Sequence, residues 1–328
     1  MRLAIVGCGD AARAVGLASR FVRRCRVAAV ADPDAGRRMR FARTFGAAGY
    51  ADWREVLAAG GVDAVYLAVP HDLHREVALA FAERGTSVLL EKPVAATLEE
   101  AERLVREQPP GARIAVNYQY RYDPKVRALL EAASGAGTLY YAQVIVPWYR
   151  GDEYFCGSPW HASAARSGGG TLLTQGSHAL DIALCACGAP VRATARVFQR
   201  LHTSGETEDL AAAIVETESG SPIFITSSMV SRPAARVSIA LYGSAGSIVY
   251  RGPQRARLVS RRVRVPRRAV ATQLHPYVAS LAGFRDWAEG GSPVRCTASD
   301  ALAVMRAVDA AYRSARAGAT VDIVGPER

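Results

Sequence analysis

The sequence predicts an α/β protein, with a doubly wound parallel sheet in residues 1–121 and an α+β domain with a large, mostly antiparallel open sheet in residues 122–328. In the first part, short apolar segments alternate with helix-like segments, which is the pattern of a parallel sheet. In the second part, strand-like segments follow one another with turn residues between them, which favours an antiparallel sheet. Because 328 residues exceed one typical domain, we expect two domains.

The predicted strands of the first part are short and continuously apolar, as suits strands buried on both faces of a parallel sheet. An alanine-rich, helix-like segment at residues 11–20 follows the first strand, and the second strand then completes a β-α-β unit. The strands are predicted at residues 3–6, 27–30, 62–69, 87–90 and 114–116.

The second part begins with a helical pattern that leads through a glycine-rich turn into longer strands. The helices of this part are predicted at residues 125–133, 277–289 and 299–316. Its strands are predicted at residues 139–146, 210–216, 222–228, 236–242 and 247–250.

The composition is typical of a globular protein. Half of the residues are hydrophobic and 22% are charged, which permits sizeable buried cores. The first residues lack the apolar region of a secretory signal, and no later stretch is long enough to span a membrane, so we expect a cytoplasmic protein without a membrane partner. The six cysteines show neither a disulfide framework nor paired C-x-x-C spacing, so we expect reduced thiols and no metal site.

The formal net charge of +11 is compatible with a polyanionic partner. The densest basic segment, residues 255–268, alternates arginine with apolar residues, and side chains alternate between the two faces of a strand. We interpret this segment as a strand with a solvated basic face; contact with a polyanion or a nucleotide-sugar is the alternative. No nucleic-acid-binding motif is found in the sequence, which argues against a nucleic-acid partner.

A glycine motif of the form G-x-G-x-x-A follows the first predicted strand. Its glycines permit a tight turn and let a pyrophosphate approach backbone N–H groups at a helix N-terminus. Asp32 ends the second strand about twenty residues further on, where an acidic side chain hydrogen-bonds the ribose of a dinucleotide. The predicted dinucleotide site comprises Asp32 and the motif residues Gly7, Cys8, Gly9, Asp10, Ala11 and Ala12.

The choice of cofactor depends on the residues at and just beyond Asp32. Its carboxylate should repel the 2′-phosphate of NADP, which favours NAD. Arg37 and Arg38 keep NADP open as an alternative, because an arginine just beyond the acidic position can accept that phosphate. We include Arg37 in the predicted cofactor site.

Four further segments carry motifs: Ala68-Val69-Pro70-His71-Asp72-Leu73-His74, Glu91-Lys92-Pro93, residues 117–122 and the glycine-rich residues 168–181. Together they resemble the Gfo/Idh/MocA family of nicotinamide-dependent sugar and cyclitol oxidoreductases, and the resemblance spans nearly the whole chain. It implies an N-terminal Rossmann domain and a C-terminal domain whose open sheet often forms the subunit interface. The implied assembly is a homodimer or homotetramer.

The resemblance implies that Lys92 lies beside the nicotinamide, with Glu91 at its side. A lysine that is partly desolvated at a cofactor cleft can lower its pKa, and it can then donate to a carbonyl or relay the proton of an alcohol. We therefore predict Lys92 as a catalytic residue. The end of the third predicted strand and the segments after the third and fourth strands add the predicted cofactor contacts Ala68, Val69, Pro70, His74, Glu91 and Lys92.

His178 is the second predicted catalytic residue, an acid/base whose unperturbed pKa lies near the working range. It follows a glycine-rich loop, and Asp181 lies three residues later, on the same face of a predicted helix. Asp181 is expected either to orient the imidazole or to bind a substrate hydroxyl.

The residues before His178 indicate a branch of the family. Many of its dehydrogenases carry Asp four residues before this histidine, whereas here Thr174 precedes Gln175. A Thr-Gln-Gly sequence resembles enzymes acting at the 3-hydroxyl of sugars, including UDP-N-acetylglucosaminuronate 3-dehydrogenases, as does the aromatic segment 148–155. That branch usually has Arg-Gly where this chain has His161 and Ala162. The predicted substrate-binding residues are Tyr118, Trp160, His161, Thr174, Gln175 and Asp181.

The sequence thus predicts an enzyme that transfers a hydride between NAD and a ring carbon of a sugar or nucleotide-sugar, with C3 as the favoured position. An inositol or aldose dehydrogenase of the same family is one alternative. A non-catalytic regulator that senses dinucleotides is another, and the presence of both Lys92 and His178 argues against it.

Overall fold

A computed structural model describes residues 1–203, 205–252, 257–263 and 276–323. The described residues form two compact units. The first contains Met1–Ala95 and Glu99–Tyr122, and residues 276–301 return to it late in the chain. The second contains residues 96–98 and the other described residues from 123 onward. This division differs from the predicted single boundary between residues 121 and 122 in its placement of residues 96–98, 122 and 276–301.

The first unit contains a parallel sheet of six strands. Their bounds are β1 Arg2–Val6, β2 Arg26–Ala31, β3 Ala48–Tyr50, β4 Ala64–Leu67, β5 Ser87–Leu90 and β6 Ile114–Val116. The order β3-β2-β1-β4-β5-β6 reverses between β1 and β4, which confirms the predicted doubly wound Rossmann sheet. The sequence did not reveal β3, because this strand is short and mostly exposed.

Six helices belong largely to the first unit. They are α1 Asp10–Ala18, α2 Ala35–Phe45, α3 Trp53–Ala59, α4 His74–Glu83, α5 Leu98–Glu107 and α10 Pro276–Ala288. Leu281 and Phe284 of α10 are fully buried in one cluster with Leu3 and Ile5 of β1. Burying such side chains contributes about 1.5–3 kcal/mol each, and this explains why residues 276–301 return to the first unit.

The second unit contains a sheet of eight strands. Their bounds are β7 Leu139–Pro147, β8 Pro190–Phe198, β9 Leu210–Thr217, β10 Ile223–Ser228, β11 Val237–Gly243, β12 Gly246–Gly252, β13 Arg257–Arg261 and β14 Val321–Asp322. The order is β13-β12-β11-β7-β10-β9-β8-β14. Of these pairs β7–β10 is parallel and the others are antiparallel, which confirms the predicted sheet type.

The two faces of this second sheet differ in exposure. The helices of the unit are α6 Pro124–Ala133, α7 Asp152–Cys156, α8 Ala164–Ser167, α9 Ser177–Cys187 and α11 Ala298–Ala317. Ala142, Val144 and Val146 of β7 are buried on the face where α9 contacts that strand. On the other face Ile145 and Phe224 are exposed. One face of the sheet is therefore core, and the other is an open apolar surface.

The basic segment predicted as a strand is only partly within the described residues. Residues 257–261 form β13, which pairs antiparallel with β12, whereas residues 255, 256 and 264–268 lie outside the described ranges. Among the described helices, none combines the length and the hydropathy that crossing a membrane requires.

Candidate functional site

The glycine motif forms a tight turn between β1 and α1. Gly7 has φ +87°, and a Cβ at this position would stand 2.3 Å from the carbonyl oxygen of Ala68, so only glycine fits. Gly9 precedes α1, and a Cβ there would meet nothing within 4 Å. No side chain caps the N-terminus of α1. The open space at Gly9 and the uncapped N–H groups fit a pyrophosphate.

The Asp32 side chain connects this turn to the end of β2 by hydrogen bonds. Its carboxylate accepts the backbone N–H of Cys8 at 2.7 Å and that of Asp34 at 2.8 Å. A carboxylate has lone pairs beyond these two, so Asp32 can still accept ribose hydroxyls. Ala12, which ends the motif, is fully buried in the core, as close packing of α1 on the sheet requires. The predicted motif residues and Asp32 are thus brought together.

Cys8 and Asp10 contribute differently from the glycines. Burial, followed by the nearby Asp32 carboxylate, raises the pKa of the Cys8 thiol to about 12. This thiol therefore stays protonated and is not a nucleophile. Asp10 is exposed in the first turn of α1.

The two arginines beyond Asp32 have different positions. The Arg37 backbone N–H donates to the Asp34 side chain, which caps α2, and the Arg37 side chain is half-buried. The Arg38 guanidinium donates to the backbone carbonyl of Asp32 at 2.6 Å. Arg38, which was not in the predicted site, therefore contacts the backbone of residue 32.

His74 links the loops that follow β4 and β5. One ring nitrogen lies 2.9 Å from the carbonyl oxygen of Pro93, and the other lies 3.0 Å from that of Val69. The side chain is fully buried, and burial lowers the pKa of His74 to about 4. With no exposed surface, His74 holds the two loops together and offers no accessible atom to a cofactor.

Glu91 lies in a buried polar network beside Lys92. Its carboxylate accepts hydrogen bonds from the Tyr66 hydroxyl, from Asn117 Nδ2 at 2.7 Å and from the Lys92 backbone N–H at 3.2 Å. Ser280 of α10 donates to Asn117 Oδ1 at 2.8 Å. Burial raises the pKa of Glu91, and the charge of Lys92 opposes that rise. Lys92 itself is half-buried.

Tyr118, a predicted substrate-binding residue, and its neighbour Arg121 lie in the first unit. Tyr118 is 1% exposed. The Arg121 guanidinium lies 5.9 Å from the Tyr118 ring centre. Tyr66 and Ser280 were missed by the sequence analysis, because neither belongs to a recognisable motif.

In the second unit, Glu208 holds the glycine-rich loop before His178. Its carboxylate accepts the N–H groups of Gly170 and Leu172, both at 2.8 Å, and the Tyr312 hydroxyl at 2.9 Å. A Cβ on Gly170 would stand 1.8 Å from the Glu208 carbonyl oxygen. The loop therefore needs glycine for close contact with Glu208, a residue that no motif indicated.

A π-helical turn at Leu172–Gly176 connects this loop to α9, and such turns are frequent at functional sites. Thr174 donates to the carbonyl of Gly170 at 2.7 Å. His178 and Asp181 lie in α9, and their side chains are 9% and 1% exposed. The predicted helix around His178 is thus confirmed, and the i, i+3 spacing places both side chains on one side of it.

Tyr154 joins the residues predicted to bind the sugar. Gln175 Nε2 donates to the Tyr154 hydroxyl at 3.4 Å, and that hydroxyl also meets the side chain of Thr174. The His161 ring stacks on Tyr154 at 4.2 Å between centroids, and the Trp160 ring lies 3.8 Å from that of His161. Burial raises the pKa of Tyr154. We call Tyr154, Trp160, His161, Thr174 and Gln175 the Tyr154 cluster.

Arg150 borders the Tyr154 cluster. Its Nη2 donates to Gln175 Oε1 at 3.2 Å, and its guanidinium lies 5.2 Å from the ring centres of Trp148 and Tyr154. Arg150 and Tyr154 belong to the aromatic segment 148–155, whose sequence pattern did not indicate a role for either residue. Among the described residues, no group of His, Cys, Asp and Glu side chains is arranged to hold a metal ion.

Two family profiles match the chain. One is described as an oxidoreductase family with an NAD-binding Rossmann fold and matches residues 1–118. The other is the GFO/IDH/MocA C-terminal domain and matches residues 124–249.

Full-length relatives are similar at low identity. The rhizopine catabolism protein MocA of Rhizobium meliloti is 27% identical, with 94% of this chain and 93% of that protein aligned. The inositol 2-dehydrogenase 2 of Saccharopolyspora erythraea is 29% identical, with 98% and 95% aligned. The D-apiose dehydrogenase of Paraburkholderia graminis is 27% identical, with 98% and 89% aligned.

Solved structures share the fold. The WlbA dehydrogenase of Bordetella pertussis, crystallised with NADH and UDP-GlcNAcA, has a TM-score of 0.89 at 24% identity, with 99% of each chain covered. The aldose-aldose oxidoreductase of Caulobacter crescentus has a TM-score of 0.86 at 22% identity, with 98% of this chain and 99% of that chain covered.

Proposed function

The chain belongs to the GFO/IDH/MocA family of NAD-binding oxidoreductases, and from this membership we propose that it transfers a hydride between NAD and C3 of a sugar or nucleotide-sugar. Its coarser activity, oxidoreduction of a CH–OH group by a nicotinamide cofactor, follows from the family. The observation that carries the finer proposal is the contact of Thr174 with the Tyr154 phenol, where cyclitol dehydrogenases of the family have a carboxylate.

The residues around Asp32 fit the cofactor, as the open space at Gly9 and the uncapped N-terminus of α1 indicate. When bound, NAD supplies the hydride chemistry at its nicotinamide ring. Asp32 would accept the ribose hydroxyls, and the first-turn N–H groups of α1 would bind the pyrophosphate.

Lys92 is the group we propose to hold the proton of the reacting hydroxyl. Its ammonium donates a proton to the carbonyl oxygen during reduction, and its amine accepts the hydroxyl proton during oxidation. Glu91 stabilises the ammonium by its charge and is itself fixed by Tyr66 and Asn117. Lys92 therefore has a defined position and an electrostatic partner.

His178 is proposed as a second acid/base, and Asp181 as the residue that orients it or binds a substrate hydroxyl. Both side chains project from α9 directly after the loop that Glu208 fixes. The Tyr154 cluster supports a sugar substrate, because aromatic faces stack on a pyranose ring while neighbouring polar groups bind its hydroxyls.

The open face of the second sheet supports the proposed homo-oligomer. Tyr141 stacks on Tyr242 at 4.6 Å and meets Phe224 edge-on at 5.8 Å. Phe224, Ile145 and Ile214 are each about two-fifths exposed. An exposed cluster of aromatic and aliphatic side chains of this kind marks an interaction site, and we propose that a second copy of the chain covers it.

The test combines purified protein, NAD or NADP, and a panel of UDP-sugars, free sugars and inositols, with the absorbance of the reduced cofactor as the readout. Turnover of a UDP-sugar that Lys92→Ala and His178→Ala each reduce at least about 100-fold would support the proposal. Lys125→Ala is the matched control, because Lys92 and Lys125 are the two lysines of the chain. Identification of a 3-keto product by NMR would establish the carbon.

Other outcomes of this panel would overturn the proposal. Turnover of inositols or free aldoses alone would favour the cyclitol or aldose dehydrogenase. The full-length similarity to an inositol 2-dehydrogenase supports this alternative hypothesis. Tight NAD binding without turnover in either direction would favour a dinucleotide sensor.

A further inference from the structure

We propose that Arg150 binds an anionic group of the substrate, a carboxylate or a phosphate, so that the enzyme acts on an acidic sugar derivative. This inference rests on the proposed sugar oxidoreductase function and specifies its substrate class.

The described contacts of this guanidinium are with neutral groups. Nη2 donates to Gln175 Oε1, the rings of Trp148 and Tyr154 flank the guanidinium, and the buried Nε has no hydrogen-bond partner. Among the described residues, no carboxylate forms an ion pair with Arg150. Asp152, two residues later, instead lies 3.5 Å from the His202 ring.

Arg150 is a half-buried cation that the described residues do not pair with an anion. Arg75, by contrast, pairs with Glu100 at 2.5 Å and with Glu107 at 2.9 Å. Removing a charge from water is costly unless an opposite charge and hydrogen bonds compensate for it. The N–H donors of Arg150 that Gln175 does not use can supply that compensation to a ligand, and a planar guanidinium matches the geometry of carboxylates and phosphates.

The backbone of Arg150 is fixed on both sides. Its N–H donates to the carbonyl of Met229 at 2.9 Å, and its carbonyl lies 2.9 Å from His202 Nε2. The hydrogen bond of the guanidinium to Gln175 adds a further constraint, so Arg150 is positioned before a ligand arrives, which lowers the entropy cost of binding.

Arg150 also lies where the sugar is proposed to bind. Its partner Gln175 and its neighbour Tyr154 belong to the Tyr154 cluster, which includes the aromatic rings of Trp160 and His161. An anion on Arg150 would therefore belong to the same ligand as the sugar ring. The branch-typical arginine at position 161 is a histidine here, and Arg150 supplies a positive charge to the same cluster.

The experiment compares four compounds that carry the two anionic groups in every combination. UDP-N-acetylglucosaminuronate has a carboxylate and a diphosphate, UDP-N-acetylglucosamine has the diphosphate alone, glucuronate has the carboxylate alone, and glucose has neither. Binding is measured by calorimetry in the presence of NADH, and KM and kcat are measured for each compound that turns over. The proteins are the wild type, Arg150→Gln, Arg150→Lys and, as the matched control, Arg200→Gln, because Arg200 is exposed over the single ring of Phe198.

We expect Arg150→Gln to weaken binding of the anionic compounds about 10- to 100-fold and to leave neutral glucose unaffected. The affinity of Arg150→Lys for the anionic compounds should lie between those of the wild type and Arg150→Gln, because an ammonium keeps the charge but lacks the planar geometry of a guanidinium. If Arg150→Gln loses affinity for UDP-N-acetylglucosamine, the bound group is the phosphate. If it loses affinity only for the compounds that carry a carboxylate, the bound group is the carboxylate.

The inference would be overturned if Arg150→Gln lost equal affinity for anionic and neutral compounds, or if its affinity for the anionic compounds were unchanged. Failure of the wild type to bind any anionic compound would also overturn it. Binding that depends on Arg150 without any turnover would instead refute the proposed dehydrogenase while sustaining the anion site.

Discussion

Asn117 Nδ2 donates to Glu91 Oε1 at 2.7 Å, so a neutral amide at the end of β6 anchors the carboxylate beside Lys92. Both groups are buried, and Ser280 of α10 fixes the amide from its other side. The position of the proposed catalytic lysine thus depends on a helix that lies more than 160 residues later in the chain.

Removing the Asn117 amide should affect both stability and catalysis. Asn117→Ala removes one of the donors to the buried Glu91 carboxylate and the acceptor of the Ser280 hydroxyl, and it should cost about 1–3 kcal/mol in the free energy of unfolding, measured with urea. The value of kcat should fall while the Kd for NAD changes little. Ser280→Ala, which removes only the hydrogen bond to Asn117 Oδ1, should lower the free energy of unfolding and kcat by smaller amounts. A larger effect of Ser280→Ala than of Asn117→Ala would contradict this arrangement.

His74 should make stability depend on pH. Its folded-state pKa of about 4 lies below the ordinary value of 6.5, so its contribution is complete above pH 6.5 and is lost as the pH falls toward 4. Relative to His74→Asn, the wild type should lose about 2 kcal/mol of unfolding free energy between about pH 8 and pH 5. Urea titrations at both pH values measure this difference. If the unfolding free energies of the wild type and His74→Asn changed equally with pH, the buried environment of His74 would be refuted.

Asp32 should determine the cofactor. The wild type should bind NAD at least about tenfold more tightly than NADP, because the carboxylate repels the 2′-phosphate, and Asp32→Ser should remove most of this preference. Fluorescence titration of both cofactors gives the two Kd values. Asp34→Ser is the control, since serine also caps a helix and Asp34 caps α2 from an exposed position. If Asp32→Ser kept the preference for NAD, another residue would be responsible for the selectivity.

Glu208 should be a positioning residue for the loop before His178. Glu208→Gln places an amide among groups that donate to it and should cost about 1–3 kcal/mol in unfolding free energy, while Tyr312→Phe, which removes one donor, should cost less. We expect kcat to fall in Glu208→Gln with NAD binding retained. Retention of full kcat despite the loss of stability would show that the loop geometry tolerates the change.

Phe224 should be needed for the proposed oligomer. Phe224→Lys places a charge on the open face of the second sheet, where Tyr141 contacts Phe224 edge-on. Sedimentation velocity should show an oligomeric wild type and a monomeric variant. Phe21→Lys is the control, because Phe21 is 77% exposed in the first unit. A monomeric wild type would remove the basis for the oligomer.

Several features of the fold could be predicted because they depend on local pattern. Apolar runs that end at glycine predicted β1, and the spacing of Gly7, Gly9 and Asp32 predicted a turn that the structure contains. By contrast, β8 was missed because polar residues interrupt its apolar pattern, as at Arg192 and Arg196. The two-residue β14 is too short to show a pattern.

The sheet types, the glycine turn and the motif residues could be predicted because they follow from steric limits and burial periodicity within short segments. Which buried groups meet, such as Ser280 with Asn117 and Glu208 with Gly170, depends on the tertiary structure. The tertiary structure also decided that Arg150 lies against neutral partners. Such contacts join residues far apart in the chain, and they form because a folded interior must satisfy each buried polar group with whatever partner the topology brings near.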